Sequence, residues 1–149
     1  MCLTNLNDRF KALPKTVTGY KLVLRHNVSG VLIPLFASKL LSKPWPGDEI
    51  PMHSWRTCHE KAFYGRSTLR AIDYPIGFHW FRLKGDLEPY KTFYAVYSGD
   101  YTMVTVKGKF KDHTGSGETC LWGTGLAVSC YISRKQKIEK IVEKHSRRM

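Results

Sequence analysis

The chain has 149 residues, a length that suits one domain with one hydrophobic core, so we expect residues 1–149 to form a single unit. Its 24 Lys and Arg residues against 12 Asp and Glu give a formal net charge of +12, which exceeds what solubility requires. This surplus favours an anionic partner: nucleic acid, a nucleotide or an acidic protein surface. The longest apolar stretch, residues 31–37, is too short to cross a bilayer, so we predict no membrane partner.

The first half of the chain predicts an arm, a hairpin and a long loop. Residues 1–15 are polar and end in Leu13-Pro14, which indicates an N-terminal arm. Residues 17–25 alternate apolar with polar side chains and predict a strand, and residues 31–36 predict its partner in a β-hairpin. Residues 42–54 contain three prolines and a glycine, which is typical of an irregular loop.

The second half predicts three more strands around one helix. Residues 77–81 indicate a short buried strand, and Asp86 is a plausible N-cap for a helix over residues 87–97. Residues 103–110 and 126–133 alternate and predict strands, separated by a turn at residues 114–117, Thr-Gly-Ser-Gly.

The end of the chain predicts a basic C-terminal helix and tail over residues 134–149. Ile138, Ile141 and Val142 have the spacing of one apolar helical face, and charged residues lie between them. The fold class we predict is therefore α+β: a mostly antiparallel sheet with one central helix and a C-terminal amphipathic helix.

Cations and aromatic side chains are interleaved after the long loop, which suits phosphate pairing combined with base stacking. The alternative is that these aromatic side chains belong to the core and the cations are merely solvated. The predicted anion-binding residues are Arg25, Arg56, Arg66, Arg70, His79, Trp55 and Tyr64.

His79 lies between aromatic neighbours on the predicted strand at residues 77–81. A histidine there could bind phosphate or act as a general base, and the alternative is a core histidine whose ring is satisfied by backbone groups. We predict no metal and no cofactor, because no pair of candidate ligands has the spacing of a zinc knuckle. Those candidates are His53, Cys58, His59, Cys120 and Cys130.

Three stretches carry a resemblance to known proteins: Met1-Cys2-Leu3-Thr4 with Gly19-Tyr20-Lys21-Leu22-Val23, then Gly77-Phe78-His79-Trp80-Phe81, then the closing strand at residues 127–132. Together they resemble a small, uncharacterised domain family of phages and large DNA viruses. The resemblance implies a viral accessory or virion protein, located in the host cytoplasm or the virion.

The chain is also similar, more weakly, to the core of ADP-ribosyltransferases. In that resemblance Arg25 or His26 would lie near the first motif and residues 77–81 would form the second. The third motif requires a glutamate on a late strand, and Glu118 is the residue this chain offers there.

The leading functional hypothesis is a non-catalytic viral accessory protein that binds an anionic partner, with counteraction of host defence as one role. One alternative is a virion structural protein whose basic surface faces the genome or acidic neighbours, with self-association left open. The other is an ADP-ribosyltransferase-like or nuclease-like enzyme that uses His79.

Overall fold

The computed structural model describes residues 5–34, 49–58, 64–66, 73–75, 77–89, 100–120 and 127–145, with the side chains of residues 64–66, 73–75 and 120 left out. Nine strands make up most of this part of the chain. Their bounds are β1 Asn5–Asn7, β2 Thr16–His26, β3 Leu32–Pro34, β4 Trp55–Thr57, β5 Tyr64–Arg66, β6 Asp73–Pro75, β7 Phe78–Trp80, β8 Tyr101–Cys120 and β9 Ala127–His145. Two short 3-10 helices span Arg9–Ala12 and Lys84–Leu87.

The long antiparallel pair β8 and β9 organises the sheet. Their register runs from Met103 opposite His145 to Cys120 opposite Ala127. The strand order is β3-β2-β8-β9-β4, with β1 added to β8 and β7 added to β9, while β5 and β6 form a separate pair.

Backbone pairing also closes the sheet on itself. Phe81 follows β7, which pairs with β9, and it exchanges two hydrogen bonds of 2.7 Å with Tyr20 of β2. A circuit of paired strands therefore runs through β2, β8, β9 and β7.

The long pair has two arms that meet near Asp112. Asp112 has a left-handed φ of 57°, and the register shifts between His113 and Gly115, so that Thr114 is an extra residue. Before this point β8 pairs with β2, and beyond it β8 pairs with β1. A left-handed residue beside a bulge is a common device for re-aiming a strand.

Trp80 packs between the two arms and is fully buried. Its ring stacks on Phe110 at 4.8 Å and on Tyr131 at 4.9 Å between centroids. A Cβ atom added to Gly19 would lie 2.4 Å from the Trp80 ring, so only glycine lets β2 pass this close. This part of the core therefore depends on one indole and on the absence of a side chain beside it.

The predicted C-terminal helix is wrong, because residues 127–145 form strand β9. Ile138 lies opposite Gly108 and Ile141 opposite Val106, so Glu139 is an inserted bulge residue. The bulge spaces two core-facing isoleucines three residues apart, which imitates helical periodicity. The α+β class is corrected accordingly to a mostly antiparallel β fold.

The predicted central helix is also corrected, since the described residues hold no helix of seven residues or more. Asp86 is not an N-cap: it lies inside the 3-10 helix Lys84–Leu87, and residues 90–97 of the predicted helix fall outside the described part. The predicted turn at residues 114–117 is a continuous stretch of β8. Within the predicted arm, Asn5–Asn7 pair with β8.

A lysine-rich sheet face as the candidate polyanion site

Six lysines of β8 and β9 stand directly opposite one another across the strand pair. We call this set the lysine face; it comprises Lys107 opposite Lys140, Lys109 opposite Lys137 and Lys111 opposite Lys135. Residues directly opposite in an antiparallel pair share a face of the sheet, and like charges placed this way destabilise the pairing. The fold thus holds three repulsive pairs together on one surface.

The bulge at Glu139 brings these side chains to the same face. Lys137 and Lys140 are three residues apart, and in a regular strand they would point to opposite faces. With one residue inserted between them, both line a single surface groove of about 400 Å³ together with Lys107 and Lys109. The bulge that gives the isoleucines a helix-like spacing in the sequence therefore also places Lys137 and Lys140 on one face.

Two carboxylates partly neutralise this face. Glu139 Oε1 lies 3.8 Å from Lys109 Nζ, and Asp112 Oδ2 lies 3.3 Å from Lys135 Nζ. Both ion pairs are solvent-exposed, where such contacts contribute little. Among the described residues, six lysines against two carboxylates leave an excess of four positive charges on this face.

Hydroxyls and an indole flank the lysines. On one side, Thr16 and Thr18 of β2 are exposed and lie opposite Lys111 and Lys109. On the other side, Trp55 of β4 lies opposite Lys137, and its ring faces the ammonium of Lys111 at 4.1 Å. Four strands at the usual spacing make this surface about 14 Å wide.

A separate, half-buried cation lies inside the sheet. Lys21 Nζ donates to Gln136 Oε1 at 3.0 Å and lies 5.4 Å from the centre of the Phe78 ring. Burial, and after it the charge of Arg56, lowers the pKa of Lys21 to about 8. Gln136 is 1% exposed, and its Nε2 donates to no atom of the residues that the structure describes. The lowered pKa of Lys21 shows that burial destabilises its charged form.

His79 is placed where it cannot carry a charge at neutral pH. It lies opposite Ile132, its Nε2 atom is buried, and its ring has a hydrogen bond with the backbone of Gly77. Burial, with Lys21 adding to it, lowers the pKa of His79 to about 3. A neutral imidazole gives a phosphate no ionic contact, so we assign His79 no part in the candidate site.

A serine and a histidine also meet, at Ser133 and His113, where Oγ lies 2.7 Å from Nδ1. His113 Nε2 lies 2.9 Å from the carbonyl oxygen of Pro14, which only accepts, so Nε2 carries the proton and Nδ1 accepts from Ser133. Ser133 in turn accepts a 2.8 Å hydrogen bond from Trp80 Nε1 and is fully buried. This network joins the two arms and has no opening for a substrate at the hydroxyl.

The other residues predicted from the sequence are dispersed. Trp55 and Arg56 lie on β4 beside the lysine face, and the Arg56 guanidinium donates to the carbonyl of Glu49. Arg25 lies opposite Leu32 and Thr102, whereas Glu118 lies at the far end of β8 opposite Asn5. Tyr64 and Arg66 are in β5, but their side chains, like Arg70 as a whole, lie outside the described part.

The structure describes only some of the five candidate metal ligands that the sequence offers. Within the described residues no group of three His, Cys, Asp or Glu side chains could hold a metal ion. Cys58 is a half-buried free thiol and Cys130 a fully buried one. Burial raises the pKa of Cys130 to about 12, so it stays a neutral thiol.

Sequence reasoning did not identify the lysine face. The alternation Lys107, Lys109, Lys111 was visible as one face of a strand, and Lys135 and Lys137 have the same spacing. Because the residues of the second set are predicted as a helix, the sequence does not place the two sets opposite each other.

Comparison of the chain with family models, with curated proteins and with solved structures found no match. The described residues hold no helix that is long and apolar enough to cross a membrane.

Proposed function

We propose that this protein binds nucleic acid through the lysine face, as a binding protein and not as an enzyme. The observation that carries the proposal is the directly opposed arrangement of Lys107–Lys140, Lys109–Lys137 and Lys111–Lys135. Each opposed pair lowers the stability of the free protein. Phosphates bound along the lysines would offset this repulsion through attractive contacts with the ammonium groups.

The side chains around the lysines favour a phosphate backbone over a small anion. The cationic surface is broad and open, and it is bordered by the exposed hydroxyls of Thr16 and Thr18. Lysine is a mobile point charge that suits contacts with phosphates, and threonine hydroxyls make the same kind of backbone contact. We therefore propose binding with little dependence on sequence.

The wider setting is proposed on the resemblance alone. A viral accessory protein or a virion component that faces the genome would both use such a surface. The neutral, half-buried His79 and the buried Ser133 favour binding over catalysis in either setting.

Affinity measured against salt tests the proposal. If all six lysines each neutralise one phosphate of a single strand, log affinity should fall with log salt with a slope of about −4. Replacing Lys109, Lys137 and Lys140 with Gln should reduce that slope by about 2. Fluorescence anisotropy of a labelled oligonucleotide between about 50 mM and about 200 mM salt measures both values.

A matched control removes the same charge elsewhere. Lys11, Arg82 and Lys84 are exposed and lie outside the lysine face, so changing them to Gln also removes three positive charges. This control should keep most of the slope of the parent protein. Equal losses in the two triple variants would mean that the charge acts as a uniform coat, and would overturn the proposed site.

A further inference from the structure

Trp55 is an exposed aromatic side chain at the border of the lysine face. It is 39% exposed, whereas the other large hydrophobic side chains that are exposed in the described part are aliphatic: Leu6, Val28 and Leu83. An indole is a large apolar surface to leave in water, and exposed aromatic rings beside cations are typical of nucleic-acid contacts.

The ring is held in place from two directions. Its backbone is paired with Lys137 in the β4–β9 ladder, which fixes the start of the side chain. The ammonium of Lys111 lies over the ring at 4.1 Å from its centre, a cation–π contact that orients the indole plane. With Lys111 over the ring, a second flat group can pack against the indole surface that remains exposed.

We propose that Trp55 stacks on an unpaired base while the lysine face binds the flanking phosphates, so that the ligand class is single-stranded nucleic acid. This inference rests on the proposed function. In a duplex each base is already stacked above and below, whereas a single strand can turn a base out onto an aromatic ring. Stacking of this kind accepts any base, which agrees with the small dependence on sequence proposed above.

The test compares ligands that have the same phosphates but differ in their bases. The probes are a thymidine oligomer of about a dozen nucleotides, an abasic oligomer of the same length and a duplex of that length. We expect the thymidine oligomer to bind roughly 5- to 150-fold more tightly than the abasic one, the range of one stacked base. Trp55→Ala should remove this difference without changing affinity for the abasic oligomer.

Two matched variants accompany it. Trp55→Phe keeps an aromatic face and should retain part of the preference for bases. Leu83→Ala removes an exposed apolar side chain far along the chain from β4 and should leave the preference intact. Thermal unfolding of each variant confirms that the fold is unchanged.

The outcomes separate the two proposals. Equal affinity for the thymidine and abasic oligomers, with a steep salt dependence, would overturn stacking and leave the lysine face standing. Tighter binding of the duplex would overturn the single-strand assignment. An equal loss for both oligomers in Trp55→Ala would overturn stacking by Trp55. No binding of any probe at about 50 mM salt would overturn both proposals.

Discussion

The two faces of the β8–β9 pair are built in opposite ways. One face presents Lys107, Lys109 and Lys111 opposite three further lysines, with the ring of Trp55 beside the ammonium of Lys111. The other face packs Val104, Val106 and Phe110 against Trp80 and Ile138, all with less than 2% exposure. The same twenty-residue strand therefore carries repulsion on one side and tight packing on the other.

The difference separates stability from function. Burial of the apolar face provides the free energy of folding, and this allows the opposite face to retain like charges that cost stability. Changes to the packed face should therefore destabilise the fold, and changes to the lysine face should alter binding with little or even favourable effect on stability.

The largest effect is expected from removing the indole that packs between the arms. Trp80→Ala deletes the ring stacked between Phe110 and Tyr131 and should lower the free energy of unfolding by about 3–5 kcal/mol. Urea unfolding followed by circular dichroism measures this loss. Trp80→Phe retains an aromatic ring and forfeits the hydrogen bond to Ser133, so its loss should be clearly smaller; equal losses would contradict a packing role.

A smaller effect is expected where β2 passes the same ring. Gly19→Ala places a Cβ atom 2.4 Å from the Trp80 ring and should cost about 1–3 kcal/mol through overpacking. Gly85→Ala is the matched control, because a Cβ atom there meets no atom of the described residues within 4 Å. If both alanine variants unfold at the same urea concentration, the close approach of β2 to Trp80 is not a constraint.

The half-buried His79, whose Nε2 atom is buried, should make stability depend on pH. Its pKa is lowered to about 3 in the folded protein, against 6.5 for an ordinary histidine, so between these values only the unfolded chain takes up the proton. Stability is then present above pH 6.5 and is lost as the pH falls, by about 1 kcal/mol between about pH 7 and about pH 5.5. Unfolding curves at the two pH values measure the loss.

His79→Asn isolates this contribution from that of the carboxylates. The variant lacks the titrating ring and should show a shallower fall in stability over the same range. Parallel pH profiles for the two proteins would mean that His79 is solvated and titrates normally in the folded state.

Sequence reasoning predicted the first hairpin because its signals are local. Strand β2 contains the predicted residues 17–25, and β3 pairs with it at Leu32–Pro34, within the predicted 31–36. Alternation and the polar turn at residues 26–30 are enough to specify such a hairpin. Residues 77–81 likewise contain β7 and the bridge at Phe81.

The long pair was not predictable because bulges change its periodicity. Glu139 is inserted between Ile138 and Lys140, so the alternation of side chains along β9 shifts by one residue at this point. Register between distant strands is a tertiary property that no local pattern contains, and the lysine face exists only through that register. Composition gave the charge, but not the surface that carries it.

The smallest expected effect has the opposite sign and tests the repulsion itself. Lys107 and Lys140 face each other, and within the described part of the chain no salt bridge joins either of them to a carboxylate. Lys140→Glu replaces a like-charge pair with an opposite-charge pair and should raise the free energy of unfolding by about 0.2–1 kcal/mol at low salt. The gain should shrink as salt screens the charges, and nucleic-acid affinity should fall in the same variant.

Lys144→Glu is the control for this variant. It makes the same change of charge opposite Val104, where it relieves no opposed lysine. A gain in stability with unchanged affinity would separate the repulsion from binding, and no gain at all would show that the opposed lysines are already relaxed in the free protein.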